Sequence, residues 1–123
     1  MYKFSQRSLD RMKGVNEKLV NLMKEAIKTS PYDFGITEGL RTVERQRELV
    51  AQKKSQTMNS RHLKGEAVDI VVYDEKGKVT WTFKYYEVVA SHIKSVAKKL
   101  GINITWGGDW KSFKDGPHFQ IEK

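Results

Sequence analysis

The chain has 123 residues, which is enough for one domain with a buried core and too few for a second module of ordinary size. Lys and Arg number 23 and Asp and Glu number 15, so the formal net charge is +8. Cysteine is absent, which excludes disulfides, thiol catalysis and thiolate metal sites. We therefore predict a single domain over residues 1–123, in which any metal ligands are His, Asp or Glu.

Neither a secretory signal nor a membrane span is expected. No apolar stretch follows the basic N-terminus, and no apolar run approaches the roughly 20 residues that cross a bilayer. The positive charge suits solubility or attraction to nucleic acid, anionic lipid or an anionic cell-wall polymer. Because no basic cluster is interleaved with aromatic residues, we expect no nucleic-acid partner. Nothing in the sequence requires more than a monomer.

Apolar residues at helical spacing predict helices over residues 9–13, 17–29, 43–54 and 85–100. Ser8, Asn16 and Thr42 are predicted to cap the first three. Gly14 and Gly101 are predicted to end the first and the last. The second helix carries a continuous apolar stripe, which indicates that it packs on the core. The last helix is likewise expected to turn inwards its apolar residues Val89, Ile93, Val96, Ala97 and Leu100.

Strands are predicted over residues 34–40, 66–73, 78–83, 103–106 and 118–122, and a polar loop over 53–61. The strands are joined in part by short turns, such as residues 74–77. This order indicates an α+β domain with a small, mostly antiparallel sheet packed with three or so helices.

The strand predicted over residues 66–73 carries a carboxylate in an apolar setting. Asp69 shares a face with Ala67 and Val71, because residues alternate faces along a strand. An unpaired carboxylate is costly to bury, and a Lys, an Arg or a metal ion would offset that cost. His62 lies in the loop just before the strand and is a candidate ligand of such an ion.

A second polar group lies at the last strand. His118 begins this strand after Pro117, and His118 and Gln120 share a face. Asp115 lies three residues before His118, across a Gly-Pro turn. This turn can fold the Asp115 carboxylate back towards an ion bound by the His118 imidazole. An Asp-Gly-Pro sequence is also an ordinary turn, so both interpretations of Asp115 remain open.

His62, Asp69 and His118 together form a candidate metal site. Three protein ligands with a fourth position for water are typical of catalytic zinc, although related divalent ions suit the same donors. Bound zinc lowers the pKa of its water to about 7, and Asp115 would then serve as general base. The third histidine, His92, lies beside the apolar stripe of the last helix and is predicted to be structural.

Two motifs, SxHxxGxAxD over residues 60–69 and DxxH over residues 115–118, resemble the VanY-like D-alanyl-D-alanine carboxypeptidase family of zinc peptidases. The likeness is greatest to the L-alanyl-D-glutamate endopeptidases that serve as phage endolysins, and it extends through residues 34–46 to residues 8–9. The resemblance implies a fold shared with the hedgehog signalling domain, one catalytic Zn²⁺ and peptidoglycan as the partner. It matches His62, Asp69 and His118 to the zinc ligands and Asp115 to the catalytic acid/base.

Four further residues acquire candidate roles from the resemblance. Arg41 matches a family arginine that would stabilise the oxyanion or hold a substrate carboxylate, with a surface salt bridge as the alternative. Ser60 would bind substrate or orient a ligand. Trp106 and Trp110 would line the substrate cleft, with a place in the core as the alternative.

The resemblance thus implies a phage endolysin that stays in the host cytoplasm until it is released to the cell wall. Its reaction would be hydrolysis of a peptidoglycan stem-peptide bond, in particular the L-alanyl-D-glutamate bond. Two alternatives remain: a D-alanyl-D-alanine carboxypeptidase, and a zinc-bearing wall-binding module without turnover.

Overall fold

The structure is a computed structural model that describes residues 2–53, 60–112 and 114–122. The described helices are α1 (Gln6–Arg11), α2 (Glu17–Thr29), α3 (Val43–Ala51) and α4 (Phe83–Leu100). The described strands are β1 (Phe34–Glu38), β2 (Ala67–Tyr73), β3 (Val79–Thr80), β4 (Ile104–Trp106) and β5 (His118–Ile121). Short 3₁₀ helices span Arg61–Lys64 and Gly107–Asp109. The predicted α+β class is confirmed.

The sheet brings distant parts of the chain into one row of side chains. Its strand order is β1-β2-β5-β4, β3 pairs with the end of β2, and the described pairings are antiparallel. Asp69 in β2 lies opposite Glu38 of β1 and opposite His118 of β5. Directly opposed side chains in an antiparallel pair project from the same face, so this register places Asp69 and His118 together.

Helices α2 and α4 pack against each other, and their apolar faces join the core of the sheet. The apolar stripe predicted for α2 is buried throughout: Leu19, Leu22, Met23, Ala26 and Ile27. Val89, Ile93 and Ala97 of α4 are buried as expected. Leu100 was expected to face inwards but is exposed, because α4 ends there at Gly101.

The first helix begins earlier than its sequence predicts. Ser5 caps α1 by accepting a hydrogen bond from the backbone N–H of Ser8 at 3.2 Å. Ser8, predicted as the cap, lies buried inside the helix, and its hydroxyl accepts the backbone N–H of Ile36 at 3.0 Å. The prediction was wrong because the hydroxyl bonds across to β1 rather than along its own helix. The predicted caps Asn16 and Thr42 are confirmed.

Other boundaries shift where tertiary contacts intervene. β1 ends at Glu38 rather than residue 40, because the chain then turns so that the Arg41 N–H donates to the His62 carbonyl at 2.8 Å. β3 is only two residues long, and α4 begins two residues early, after Thr82. α3 ends at Ala51; the predicted end at Lys54 lies outside the described residues, as does most of the loop expected over 53–61.

Candidate metal centre

A short 3₁₀ helix positions the first histidine. The Ser60 hydroxyl accepts the backbone N–H of His62 at 3.2 Å, which caps the helix Arg61–Lys64. Gly65 ends it with a left-handed φ of 68°, a conformation in which glycine is strongly favoured. His62 is consequently buried, and its ring faces the sheet row that contains Asp69. Ser60 therefore orients the segment that carries His62.

Three side chains converge on one point. Asp69 Oδ1 lies 3.2 Å from His62 Nε2 and 3.3 Å from His118 Nδ1. One potential ligand atom of each residue lies within 4.8 Å of the others. Within the described part of the chain, this is the one group of His and acidic residues with metal-ligand spacing. The three predicted ligands are therefore brought together.

The first imidazole is fixed in a single tautomer. His62 Nδ1 lies 2.8 Å from the carbonyl oxygen of Gly39. A carbonyl can only accept, so Nδ1 carries the hydrogen and donates it. Nε2, which faces Asp69, then has no hydrogen in the neutral ring. Gly39 is constrained in turn, because a Cβ at this position would lie 2.1 Å from the Arg11 carbonyl oxygen.

The second imidazole is fixed through a longer chain of contacts. Gln120 Nε2 donates to the Glu122 carboxylate at 2.7 Å, which turns Gln120 Oε1 towards His118. His118 Nε2 lies 2.8 Å from that oxygen and must donate to it. Nδ1 of His118 is therefore the nitrogen without hydrogen in the neutral ring, and it is the one that faces Asp69. Arg61 anchors the far end by an ion pair with Glu122 at 3.3 Å.

Two bare imidazole nitrogens thus face one carboxylate oxygen, an arrangement that is repulsive without a cation between them. Ligands about 2.0–2.1 Å from a tetrahedral zinc ion are about 3.3 Å apart. The two measured distances to Asp69 Oδ1, 3.2 and 3.3 Å, match that separation. Nitrogen and oxygen donors without sulfur also suit zinc. The residues present therefore fit a mononuclear zinc site, and three ligands leave a position for water.

The pKa shifts of the metal-free cluster are consistent with a site that binds a cation. Burial would raise the pKa of Asp69, but the contacts with His118 and His62 outweigh burial and hold that pKa well below its usual range. Burial would lower the pKa of His118, but its contacts with Asp69 outweigh burial and raise it. The raised pKa of His118 thus favours a proton on this imidazole in the place that a cation would take.

Arg41 lies on the other side of Asp69. Its guanidinium forms a bidentate pair with Glu38 at 2.6 and 2.7 Å and donates to Gln46 Oε1 at 2.6 Å. Nη2 is also 3.8 Å from Asp69 Oδ2. The Arg41 side chain is only 8% exposed, so it is an internal group of the site and not a surface salt bridge. Its charge supports the ionised form of Asp69.

Asp115 is held beside the cluster by the turn before β5. The backbone N–H of His118 donates to the Asp115 carbonyl, and the N–H of Asp115 donates to the Gly107 carbonyl, both at 3.1 Å. A Cβ on Gly107 would overlap the backbone carbonyl oxygen of Asp115 and crowd the Cβ atoms of Asp115 and His118, so only glycine permits this approach. Burial raises the pKa of the Asp115 carboxyl, and the negative charge of Asp69 raises it further.

The two predicted cleft tryptophans differ. Trp110 is half-buried, and its ring centroid lies 5.0 Å from that of His118, next to the cluster. Trp106 is only 5% exposed and donates its indole N–H to the Gly116 carbonyl at 2.7 Å. The prediction that Trp106 lines the substrate cleft is therefore corrected: it is a core residue that holds the turn next to Asp115.

Sequence reasoning missed several supporting groups: Glu38, Gly39, Gly107, Glu122 and Arg61. The motif around Arg41 contained Glu38 and Gly39, but no local signal indicated that a carbonyl would orient an imidazole. No described helix is long and apolar enough to cross a bilayer. The fold and the cluster together define a candidate mononuclear metal centre of the open, catalytic type.

Comparison with known proteins identifies the family. The family described as phage L-alanyl-D-glutamate peptidase matches residues 1–121. The L-alanyl-D-glutamate peptidase of Escherichia phage T5 is 30% identical over 118 residues, with 93% of this chain and 85% of the relative covered. The chain therefore belongs to the phage L-alanyl-D-glutamate peptidase family.

Two bacterial proteins extend the comparison. The peptidoglycan L-alanyl-D-glutamate endopeptidase CwlK of Bacillus subtilis (strain 168) is 33% identical over 118 residues, covering 80% of this chain and 66% of CwlK. The crystal structure of the Serratia marcescens L-Ala D-Glu endopeptidase ChiX superposes with a TM-score of 0.91 at 43% sequence identity. The superposition covers 98% of this chain and 90% of ChiX, which confirms the α+β fold.

Proposed function

We propose that this peptidase hydrolyses the L-alanyl-D-glutamate bond of peptidoglycan stem peptides with one zinc ion held by His62, Asp69 and His118. The observation that carries the proposal is the pair of fixed imidazole tautomers, because both turn a bare nitrogen to the same carboxylate oxygen. The names of the relatives support the choice of bond. A set of three donors, which would leave a fourth position for water, supports catalysis rather than a purely structural site.

Bound zinc would supply a polarised substrate carbonyl and a water of lowered pKa. Asp115 would accept a proton from the attacking water as the water oxygen bonds to the carbonyl carbon. The same carboxyl would then return the proton to the amide nitrogen of D-Glu as the C–N bond breaks. The raised pKa of Asp115 suits this exchange, since a group that both takes and returns a proton works best when its pKa is close to the ambient pH.

The remaining predicted residues take supporting roles in this proposal. Arg41 would balance the charge of Asp69 and help to stabilise the oxyanion, or hold a substrate carboxylate, through its Nη2 group. Ser60 would orient His62, since its hydroxyl accepts the His62 N–H, and its own O–H would be available to donate to substrate. Trp110 would line the cleft beside His118.

We further propose that the protein acts as a monomer and remains in the host cytoplasm until it is released to the wall. The net charge of +8 would attract it to anionic wall polymers, an attraction that salt weakens. Light scattering of the purified protein tests the monomer, and fractionation of producing cells before and after membrane permeabilisation tests the release.

Mass spectrometry of digested muropeptides tests the reaction itself. Purified peptidoglycan is incubated with the zinc-loaded protein, with the protein after chelation, and with the chelated protein after zinc is restored. We expect new L-Ala and D-Glu termini in the first and third samples only. Loss of a terminal D-Ala would instead support a carboxypeptidase, and undiminished cleavage after verified metal removal would contradict zinc dependence.

A further inference from the structure

Trp81 is the most exposed large apolar side chain of the described residues, with 66% of its surface accessible. It lies in the short connection between β3 and α4. Its ring is nearly parallel to that of Tyr86, at an angle of 7° and a centroid distance of 6.1 Å. One side of the indole is therefore supported by protein while much of its surface faces solvent.

The support beneath Trp81 is rigid. Tyr86 is buried, its hydroxyl donates to the Thr80 carbonyl at 2.9 Å and it accepts the Val72 N–H at 3.2 Å. These bonds fix the phenol on β2 and β3, so the indole above it rests on a fixed surface. A ring held in this way loses little conformational freedom when a ligand stacks on it.

Packing contacts beneath Trp81 lead to the turn next to the candidate active site. We call Trp81, Tyr86 and Phe83 the aromatic platform. A Cβ built on Gly116 would lie 3.4 Å from Tyr86 Cβ and 3.5 Å from Phe83 Cδ1. Gly116 directly follows Asp115, so the platform begins against the turn that carries the proposed general base and ends at the exposed indole.

The chemistry of the substrate places a sugar close to the bond that is cut. In peptidoglycan, L-Ala is the first residue of the stem and is joined through a lactyl group to an amino sugar of the glycan strand. The bond between L-Ala and D-Glu is therefore one residue away from the sugar, and one extended residue spans about 3.5 Å. An enzyme that cuts this bond in the intact polymer must accommodate the amino sugar beside its reacting centre.

We propose that the aromatic platform is a glycan-binding subsite, on which the apolar C–H face of the amino sugar stacks against Trp81. This inference rests on the proposed function and identifies the part of the substrate that lies beyond the scissile bond. A flat, exposed indole with a supported opposite face is suited to a pyranose ring, whose C–H groups meet the electron-rich face of the aromatic system. The platform thereby favours stem peptides that are still attached to glycan.

Binding of glycan without peptide tests the platform directly. Peptide-free glycan strands, prepared by amidase treatment of peptidoglycan, are titrated into the zinc-loaded protein while the indole N–H signals are followed by NMR. We expect the Trp81 signal to shift and that of buried Trp106 to remain. Trp81→Ala should weaken binding about 5- to 10-fold, and Leu100→Ala, an exposed apolar control at the far end of α4, should not. An unmoved Trp81 signal, or unchanged affinity in Trp81→Ala, would overturn the proposal.

Kinetics with paired substrates separates glycan binding from a structural effect. A disaccharide muropeptide and the sugar-free stem peptide contain the same L-Ala–D-Glu bond. Trp81→Ala should lower kcat/KM about 5- to 10-fold on the first and leave the second unchanged, while Trp81→Phe retains most activity on both. Equal losses on both substrates would overturn the proposal. If the wild-type protein cut neither at this bond, the proposed function would fail while the glycan titration still decided the platform.

Discussion

The centre of the sheet contains two buried histidines and the interface between α2 and α4 contains a half-buried one, and the two settings have different consequences. In the interface, His92 Nε2 lies 2.9 Å from the Ala26 carbonyl and 3.1 Å from the Thr29 hydroxyl, and both oxygens are neutral. At the sheet centre, each imidazole has one nitrogen bonded to a neutral acceptor and the other turned to Asp69. The difference is the carboxylate, because the two contacts of His92 Nε2 are with neutral oxygens whereas each imidazole at the sheet centre also faces Asp69.

This comparison separates a structural histidine from a candidate ligand. Because a neutral oxygen accepts an imidazole N–H, the bond made by His92 is complete and requires no ion. A carboxylate that faces two nitrogens without hydrogens requires either protons or a cation. The prediction that His92 is structural is confirmed by its bonds to α2.

Removal of one ligand should produce the largest effect. His118→Ala is expected to abolish tight zinc binding and peptidoglycan hydrolysis, because two donors remain of three. His92→Ala is the matched control and should retain both. Zinc content after dialysis and the shift of Tm on zinc addition measure the difference. Equal zinc content in the two variants would remove His118 from the ligand set.

Loss of the proposed general base should reduce activity while the metal is kept. Asp115→Ala is expected to lower kcat/KM about 10²- to 10⁴-fold, the usual contribution of a positioned acid or base. Its zinc content should match that of the wild type, since Asp115 is not among the three converging ligands. Activity close to wild type would contradict the role of Asp115, and a catalytically silent wild type would support a binding module.

The chain of contacts behind His118 should tune metal affinity. Gln120→Leu removes the acceptor of His118 Nε2–H and is expected to weaken zinc binding about 10- to 100-fold. Competition with a chromophoric chelator measures the affinity, and thermal unfolding checks the fold.

A polarity swap provides the control for this chain. Gln120→Glu alone places a carboxylate against Glu122 and should weaken the site, whereas the double variant Gln120→Glu with Glu122→Gln restores a donor–acceptor pair. Recovery of zinc affinity in the double variant is expected. A purely structural role for Gln120 would predict no such recovery.

The smallest effect concerns stability. Burial raises the pKa of Asp115 above its value in the unfolded chain, so the folded state disfavours the ionised form. Stability therefore falls as the pH rises from the pKa of the unfolded state to that of the folded state. Asp115→Asn should therefore raise the Tm of the metal-free protein by a few degrees at pH 7 and leave it nearly unchanged below pH ~3, where the carboxyl is protonated in both states. Thermal unfolding in the presence of a chelator measures it, and a lower Tm at pH 7 would contradict the pKa argument.

Several elements could be predicted because their signals are local. The apolar stripe of α2, the caps Asn16 and Thr42, and the alternating strand that contains Asp69 all follow from residues within a few positions of one another. The motif residues His62, Asp69 and His118 were identifiable for the same reason. Ser8 shows the limit of this reasoning, since its hydroxyl serves a strand far along the chain.

The sequence by itself determined the α+β class, the identity of the converging residues and the absence of sulfur ligands. Only the tertiary structure decided the row from Glu38 through Asp69 to His118, the tautomer of each imidazole, and the place of Trp106 in the core. The physical reason is that a hydrogen on an imidazole is fixed by its partner across the fold. The Gly39 carbonyl and the Gln120 side chain acquire that role only when strand pairing and the turn after β1 bring them to the rings.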